Sequence, residues 1–194
     1  MSQLSAVCIY CGSAVGRNAR HQEAARRFGH DLGSRGIRLI YGGGRVGLMG
    51  EVADAALAAG GKVVGVIPEH LESREKGHHG LTELRVVRSM HERKNLMFEL
   101  ADAFVVLPGG LGTLDEAFEM ITWRQLGLHD KPIAFADVDG YWSSFADLVA
   151  HVIRHGFASP DVTQHYLMVA EIDDIIPALL RQPAPTIAGE LQRL

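Results

Sequence analysis

The chain has 194 residues, of which 47% are apolar and 22% are charged, an ordinary composition for a globular protein with a substantial core. Its net charge of −4 argues against binding of nucleic-acid polymers but is compatible with a local basic pocket. No apolar run reaches the ~20 residues that span a bilayer, and the first residues lack the basic start of a signal peptide. We therefore expect a cytoplasmic protein that does not contact membranes.

Short apolar runs rich in β-branched residues alternate along the chain with segments of helical periodicity. The predicted strands cover residues 6–10, 37–41, 62–67, 84–87, 103–107, 132–136 and 167–169. The predicted helices cover residues 18–34, 48–59, 90–100, the segment from the fifth strand's glycine turn to about 127, 141–155 and 173–180. The polar segment at 69–80 is predicted to be a loop of a length that is commonly functional.

This alternation predicts βαβ units, in which right-handed crossovers build a parallel sheet. We therefore predict an α/β fold with a single doubly wound parallel sheet and helices on both faces. The domain is predicted to cover residues 1–182, followed by a loosely ordered C-terminal tail at 183–194. Ligands of such folds bind at the carboxyl ends of the strands, where glycine turns occur at Gly12, 42–44 and 109–112.

The turn after the fifth predicted strand is typical of an anion-binding site. Residues 107–116 read LPGGLGTLDE and connect a buried strand to a helix. Amides at the start of a helix lack intrahelical acceptors, the helix dipole adds positive charge, and glycines let a phosphate approach the backbone. Because Glu116 follows the turn closely, its carboxylate is part of either the chemistry or the helix cap.

Both roles for Glu116 are compatible with the sequence. Thr113 and Glu116 have the spacing of a capping box, in which Thr113 would precede the helix and the glutamate would bond back to its amide. A catalytic Glu116 would instead face a ligand held on the turn. The two roles conflict, because a carboxylate bonded to the backbone is less available to a ligand.

A second glycine turn, at 42–44, also has two interpretations. Gly42, Gly44 and Gly47 have the spacing of a dinucleotide fingerprint, and Glu69 lies where a ribose-binding acid would be. A dinucleotide-dependent oxidoreductase is a hypothesis that rests on this spacing alone. However, the turn follows the second strand rather than the first, which favours contact with a mononucleotide or phosphate, or a tight turn without a ligand.

Arg93 and Lys94 lie on the predicted helix before the fifth strand. Basic residues at such a position commonly form a solvated face. Met90 and Met97 share this helix, however, so an arginine beside this buried stripe can reach over the strand ends. There its guanidinium could bind a phosphate or a ribose hydroxyl through two hydrogen bonds.

Neither the cysteines nor the histidines predict a reactive centre. Cys8 and Cys11 form a C-x-x-C motif, but Cys8 lies among strand residues, whereas a redox pair opens a helix. We therefore favour a structural role for both. The ten histidines form no H-E-x-x-H motif, so we expect no metal site.

Several motifs follow one another between about residues 7 and 169. They are CGS at 11–13, YGGGRVGLMG at 41–50, GVIP at 65–68, MHERK at 90–94, PGGLGTLDE at 108–116, TWRQLG at 122–127, HDKP at 129–132 and VDGY at 138–141. This series closely resembles the Lonely Guy (LOG) family of cytokinin-activating phosphoribohydrolases, long described as possible lysine decarboxylases. The motifs at 90–94 and 108–116 are the most specific.

The resemblance implies a Rossmann-like, nucleotide-binding fold and a homodimer. The implied activity is hydrolysis of the N-glycosidic bond of a cytokinin riboside 5′-monophosphate, an N6-substituted AMP, to the free base and ribose 5-phosphate. AMP is a further implied substrate. No metal or redox cofactor is required, and no lysine stands out as the Schiff-base residue of a pyridoxal phosphate decarboxylase.

By motif position, the resemblance assigns catalysis to Arg93 and Glu116. It assigns substrate contacts to Glu75, Arg93, Lys94, Gly110, Leu111, Gly112, Thr113, Leu114, Asp115, Glu116 and Thr122. Further candidate contacts, from the other glycine turns and the start of the arginine helix, are Gly12, Ser13, Gly42, Gly43, Gly44 and Met90.

The chemistry of the implied reaction agrees with these residue types. Cleavage of a glycosidic bond passes through an oxocarbenium-like state. A nearby carboxylate such as Glu116 stabilises this state or orients the attacking water. A phosphate held on residues 110–113 would fix the ribose in front of this carboxylate. The alternative is a non-catalytic nucleotide or molybdenum-cofactor carrier, since such carriers have similar glycine motifs. Retention of both Arg93 and Glu116 argues against a carrier.

Overall fold

The computed structural model describes residues 4–72 and 76–182, and in this part of the chain seven strands form one sheet. The strands are β1 (Ala6–Tyr10), β2 (Arg38–Tyr41), β3 (Val63–Pro68), β4 (Glu83–Val87), β5 (Ala103–Val106), β6 (Ile133–Ala136) and β7 (Leu167–Val169). Their order is β4-β3-β2-β1-β5-β6-β7, and every neighbouring pair is parallel. The predicted strands and the parallel sheet are confirmed, and no strand end differs by more than one residue.

The described helices follow the predicted alternation. They are α1 (Ala19–Ser34), α2 (Gly47–Ala58), α3 (Glu69–Glu72), α4 (Met90–Leu100), α5 (Leu111–Gln125), α6 (Ser143–Arg154) and α7 (Ile175–Arg181). The short helix α3 lies in the segment predicted to be a loop. The predicted tail at 183–194 lies outside the described residues. Among the helices described, none has the length and apolar character needed to cross a membrane.

Polar caps fix the starts of two helices that lead to the candidate site. The side chain of Asn18 accepts a hydrogen bond from the Arg20 amide (3.0 Å) at the start of α1. Ser89 accepts one from the Glu92 amide (3.1 Å) at the start of α4. Such caps satisfy amides that have no partner within the helix. The predicted cap at Ser89 is therefore confirmed.

The sheet divides the core into two apolar layers, because successive side chains of a strand point to opposite faces. Val7 and Ile9 of β1 point into the layer formed with α1, α2 and α7. Cys8 and Tyr10 point into the layer formed with α4, α5 and α6. The predicted placement of helices on both faces is thus confirmed, and α4 and α5 share the face onto which Cys8 and Tyr10 project.

The direction of winding reverses between β1 and β5. Helix α1 leads from β1 to β2, and α5 leads from β5 to β6 on the other face, so the loops after β1 and β5 diverge at the carboxyl edge. Helix α4 starts after the edge strand β4 and contacts β3, β2 and β1 on its way to β5. Its first turn therefore lies near the same carboxyl edge as the crevice between β1 and β5.

Candidate active site

The glycine turn after β5 leads directly into α5. Gly110 is the N-cap residue, in an extended conformation (φ −100°, ψ −153°), and Leu111 is the first helical residue. The first intrahelical bond runs from the Leu114 amide to the Gly110 carbonyl (3.0 Å). The amides of residues 111–113 have no acceptor within the helix, which is the arrangement that binds anions at helix N-termini.

The capping-box hypothesis for Thr113 and Glu116 is wrong. Thr113 does not precede the helix: it is the third residue of α5, it is buried, and the N-cap Gly110 has no side chain. Thr113 packs on Gly109, where an added β-carbon would overlap its hydroxyl oxygen. Glu116 is half-buried and lies beyond the first turn, so a capping role no longer competes with a catalytic one.

A cavity of about 270 Å³ separates the turn after β1 from the turn after β5. Residues 12–16 form one wall, 108–110 form the opposite wall, and His21, Leu48 and Tyr141 complete the lining. The structure thus brings together the predicted contacts Gly12, Ser13 and Gly110 at the carboxyl edge.

Hydrogen bonds fix the walls of this cavity. The Gly12 amide donates to the Pro108 carbonyl (3.0 Å), which joins the two turns. The Tyr141 hydroxyl donates to the Gly109 carbonyl (2.6 Å) from the loop after β6. Because these bonds use the carbonyls of the two peptide units that flank the Gly109 α-carbon, both units are held in one orientation.

The N-terminus of α2 is covered by the protein itself. The Leu48 amide donates to the Gly12 carbonyl (3.0 Å), and a β-carbon on Gly47 (φ +62°) would overlap the backbone of Ser13 and Ala14. In a dinucleotide site this helix end would face the pyrophosphate. The spacing of Gly42, Gly44 and Gly47 is thus explained by contacts within the chain, and the oxidoreductase hypothesis loses its only support.

The turn after β2 is occupied by Arg93 of α4. The guanidinium is 5% exposed, and Nη2 donates to the Gly42 carbonyl (3.0 Å). A β-carbon on Gly42 would overlap Nη2, so glycine is required here to admit the arginine. Nη1 also lies 3.8 Å from the sulfur of Met90, at the start of α4. The prediction that Arg93 reaches over the strand ends is confirmed.

The other two glycines of this turn bind the segment that follows α3. The Gly43 carbonyl accepts from the His78 amide (2.9 Å), and Gly44 forms an isolated bridge with Gly77. The buried His78 ring accepts at Nδ1 from the Gly80 amide (3.2 Å), which leaves Nε2 to donate to Asp54 (2.8 Å). Gly43 and Gly44 therefore organise the chain around Arg93.

The charges of Arg93 and Glu116 both act on Cys8, in the middle of β1. Burial is the main reason that the pKa of the Cys8 thiol lies well above its ordinary value. The negative charge of Glu116 raises this pKa further, and the positive charge of Arg93 lowers it. The charge of Glu116 also raises the pKa of Tyr10, although burial is again the largest cause. A cation and an anion thus influence the same buried thiol.

Lys94 connects α4 to α5 through two ion pairs. Its Nζ lies 3.3 Å from Asp115 Oδ2 and 3.1 Å from Glu119 Oε2. These contacts raise the pKa of Lys94 against the opposing effect of burial. Two of the predicted substrate contacts, Lys94 and Asp115, therefore bind each other and hold the two helices of the site together.

The surroundings of the two cysteines agree with the structural role predicted for both. Both are buried, and no disulfide joins them. They lie in the two different core layers, Cys8 with α4 and α5 and Cys11 with α1 and α2. The raised pKa of Cys8 is the opposite of what a reactive thiol requires.

Comparison with known proteins decides the family. Residues 49–179 match the family described as "Possible lysine decarboxylase". A protein from Rhodococcoides fascians named cytokinin riboside 5′-monophosphate phosphoribohydrolase is 44% identical over 174 residues, which cover 89% of this chain and 88% of that protein. The rice protein of the same name, LOG, is 43% identical over 183 residues, 91% of this chain and 76% of its own. This chain belongs to the LOG family.

Solved structures share the fold of this LOG-family chain at low sequence identity. The molybdenum cofactor binding protein of Rippkaea orientalis has a TM-score of 0.68 and is 17% identical, with 93% of this chain and 98% of that chain covered. The molybdenum cofactor carrier protein of Chlamydomonas reinhardtii has a TM-score of 0.69 at the same identity and coverage. These likenesses confirm the Rossmann-like fold and carry no argument about the ligand.

The remaining predicted contacts lie at different places around the LOG motifs. Leu111 is 85% exposed beside the cavity, and Leu114 is half-buried against the core. Gly112 has open space where a β-carbon would stand. Thr122 is exposed and lies about 9 Å beyond Glu116 along the axis of α5. Glu75 lies outside the described residues.

Two residues of the cavity were missed from the sequence. Tyr141 belongs to the VDGY motif but was given no role, and His21 lies in α1, apart from every motif. A tyrosine and a histidine on elements that follow different strands give no local pattern. The periodicity of α1 could have placed His21 on the buried face, because it shares that face with Ala24, Ala25 and Phe28.

Proposed function

We propose that this chain hydrolyses the N-glycosidic bond of N6-substituted adenosine 5′-monophosphates, and of AMP, to the free base and ribose 5-phosphate. The observation that carries the proposal is that Arg93, held at the Gly42 carbonyl after β2, and Glu116, one to two turns after the amides that start α5, both act on the buried Cys8 of β1. The family supports it, since relatives over 40% identical are named cytokinin riboside 5′-monophosphate phosphoribohydrolases.

The phosphate is proposed to lie on the amides of residues 111–113, with the turns at 12–13 and 109–110 around it. Glu116 lies about 5–8 Å beyond these amides along the helix axis. The 5′-phosphate and the anomeric carbon are at opposite ends of a ribose phosphate. A substrate held by its phosphate therefore presents the anomeric carbon toward Glu116.

Glu116 is proposed to act on the reacting carbon. As the base departs, positive charge develops on the ribose ring, and a carboxylate at this distance stabilises it or orients the attacking water. The half-buried position of Glu116 strengthens this interaction, because charges interact more strongly where water is excluded.

Arg93 is proposed to position Glu116 and the ribose. The bond from Nη2 to the Gly42 carbonyl fixes the plane of the guanidinium. The planar arrangement of donors suits a carboxylate or a pair of ribose hydroxyls. Its cost of burial is partly offset by the bond to the Gly42 carbonyl, so removal of Arg93 should disturb both charge and geometry.

The test is the release of products from AMP and from N6-isopentenyl-AMP by the full chain. We expect equal amounts of base and ribose 5-phosphate. Glu116→Gln should lower kcat by about a thousandfold and Arg93→Ala by about a hundredfold, because each removes charge that acts in the transition state. Glu99→Gln and Arg88→Ala, exposed residues at the two ends of α4, are the matched controls and should retain full activity.

Two outcomes would contradict the proposal. Tight nucleotide binding without release of base would indicate a carrier. Full activity of Glu116→Gln would exclude this residue from the chemistry. The ratio of kcat/KM for the two substrates then shows whether the N6 substituent contributes to transition-state binding.

We also propose that the chain forms a homodimer through the outer face of α5. Residues four, seven, eleven and fifteen positions after Leu111 lie on one face of a helix. This exposed stripe contains Leu111, Asp115, Phe118, Thr122 and Leu126. Phe118 packs on Phe145 of α6, which carries the exposed Leu148 nearby.

A second copy of the chain on this stripe would cover its leucines and Phe118 and would lie beside the start of α5. Light scattering on the chain as it elutes from a size-exclusion column should give twice the monomer mass. Phe118→Glu should shift it to the monomer mass, whereas Val86→Glu, at a similarly exposed apolar residue on the opposite edge strand, should not. A monomeric wild-type chain would contradict this proposal and leave the hydrolase proposal intact.

A further inference from the structure

His21 places an imidazole in the wall of the cavity between the turns after β1 and β5. The residue is 9% exposed and belongs to the first turn of α1. The other lining residues are Gly12, Ser13, Ala14, Val15, Gly16, Leu48, Pro108, Gly109, Gly110 and Tyr141. None of these has a basic side chain, so His21 is the one residue among the lining that can bring a positive charge.

The ring nitrogens of His21 have no hydrogen-bond partner among the described residues. The ring packs edge-on against Tyr141, with centroids 5.0 Å apart and planes at 77°. That contact fixes the ring by its shape and leaves the nitrogens unbonded. Neither nitrogen is among the described side-chain atoms that are both fully enclosed and without a hydrogen-bond partner. The nitrogens therefore keep some exposed surface, and the ring lines the cavity.

We propose that His21 binds the 5′-phosphate of the substrate through its imidazolium, opposite the amides at the start of α5. The inference rests on the proposed function, which supplies a phosphate monoester to this cavity. A buried donor without a partner is costly unless a ligand completes it, and a phosphate oxygen is a strong acceptor. His21 is then a substrate-binding residue that comes from the β1 side of the crevice.

The charged groups around His21 come from α1 and from the loop after β6. Hydrogen bonds from Asn18 and Arg20 are the main reason that the pKa of Asp139, in the loop after β6, lies below its ordinary value, and the charges of Arg20 and His21 contribute. Asp139 also accepts hydrogen bonds from Asn18 (2.9 Å) and Arg20. The turn at 12–16 has no charged side chain, and Tyr141 presents its ring edge. Asp139 and Arg20 thus hold the loop after β6 against α1.

The proposal predicts that phosphate binding depends on the His21 ring. A phosphate monoester is mostly dianionic above about pH 7, so its oxygens are strong acceptors for a ring N–H. Calorimetric titration of the full chain with ribose 5-phosphate at about pH 7 should therefore show binding that weakens when the ring nitrogens are removed.

Two variants separate charge from packing. His21→Gln removes the charge, and His21→Phe keeps the edge contact with Tyr141 without a ring nitrogen. Both should bind ribose 5-phosphate about tenfold more weakly at about pH 7. His30→Gln, at an exposed histidine on the outer side of α1, should behave as the wild type.

The outcomes distinguish this proposal from the proposed function. A His21→Gln affinity for ribose 5-phosphate equal to that of the wild type would overturn the phosphate contact even if AMP is hydrolysed. The expected losses of affinity without any release of base would support the contact and contradict the hydrolase. A wild-type chain that binds neither ribose 5-phosphate nor inorganic phosphate would overturn the contact as well.

Discussion

Two glycine turns at one edge of the sheet have opposite uses in this molecule. The turn after β5 opens onto a cavity and presents the amides of residues 111–113. The turn after β2 is filled by the protein itself, because Arg93 occupies the space above Gly42 and the segment 76–78 binds Gly43 and Gly44. In sequence both are runs of glycine between a strand and a helix.

The difference shows that a glycine can be required by a ligand or by a side chain of the same protein. At Gly110 no heavy atom of another residue lies within 4 Å of the place where a β-carbon would stand. At Gly42 that place overlaps the Arg93 guanidinium. In our proposal the turn after β5 therefore receives the phosphate of the substrate. The turn after β2 holds Arg93, which positions Glu116 and the ribose.

Among changes to the two glycine turns, the largest expected effect comes from Gly42→Ala. The added methyl group must displace the guanidinium of Arg93 and break its bond to the Gly42 carbonyl. Because the end of an arginine side chain can move, the cost in stability should be small, while kcat should fall about a hundredfold, as in Arg93→Ala. Steady-state kinetics and a thermal melt measure the two effects.

A double-mutant cycle is the control for this prediction. Gly42→Ala should have no further effect on kcat in a chain that already has Arg93→Ala, because the two changes remove the same interaction. Additive losses would show that Gly42 contributes in another way, for instance by close approach of a ligand. In that case Gly42, like Gly110, would be required by a ligand, and the two turns would have the same use.

The fold could be predicted almost completely from the sequence, and the physical reason is the sheet itself. Strands buried on both faces must be continuous apolar runs, so 63–68 and 103–106 are recognisable to within one residue at each end. Helix α3 was missed because its four residues are too few to show a period. Sequence periodicity detects long buried elements and is insensitive to single turns.

The site could be predicted only where one local segment carries the pattern. Arg93 and Glu116 lie in motifs whose residues are adjacent in sequence, and the structure brings both near Cys8. The capping-box alternative for Thr113 and Glu116 stayed open in the sequence because the spacing of a capping box is the same wherever the helix starts. His21 and Tyr141 meet at the cavity from elements more than a hundred residues apart, and no local pattern records that contact.

Gly110→Ala is expected to have an intermediate effect and tests the turn after β5. The backbone of Gly110 (φ −100°) is accessible to alanine, and the methyl group meets no atom of the protein. The melting temperature should therefore stay within about 1 °C, while KM for AMP should rise about tenfold, since the methyl group occupies space next to the proposed phosphate. Gly109→Ala should instead lower stability, because it would overlap Thr113. An unchanged KM in Gly110→Ala would place the phosphate elsewhere.

Tyr141→Phe is expected to have the smallest effect and tests whether the open turn is held ready for its ligand. The substitution removes only the hydrogen bond to the Gly109 carbonyl (2.6 Å) and keeps the ring contact with His21. One such bond contributes about 1 kcal/mol, which corresponds to a decrease of about 2–4 °C in melting temperature for a chain of this size.

If the bond also orients the amides of the turn, KM for AMP should rise about threefold with kcat unchanged, because a looser turn must be ordered when the phosphate binds. A lower melting temperature with the wild-type KM would mean that the bond contributes to stability alone. The turn after β5 would then owe its geometry to the bond between the Gly12 amide and the Pro108 carbonyl.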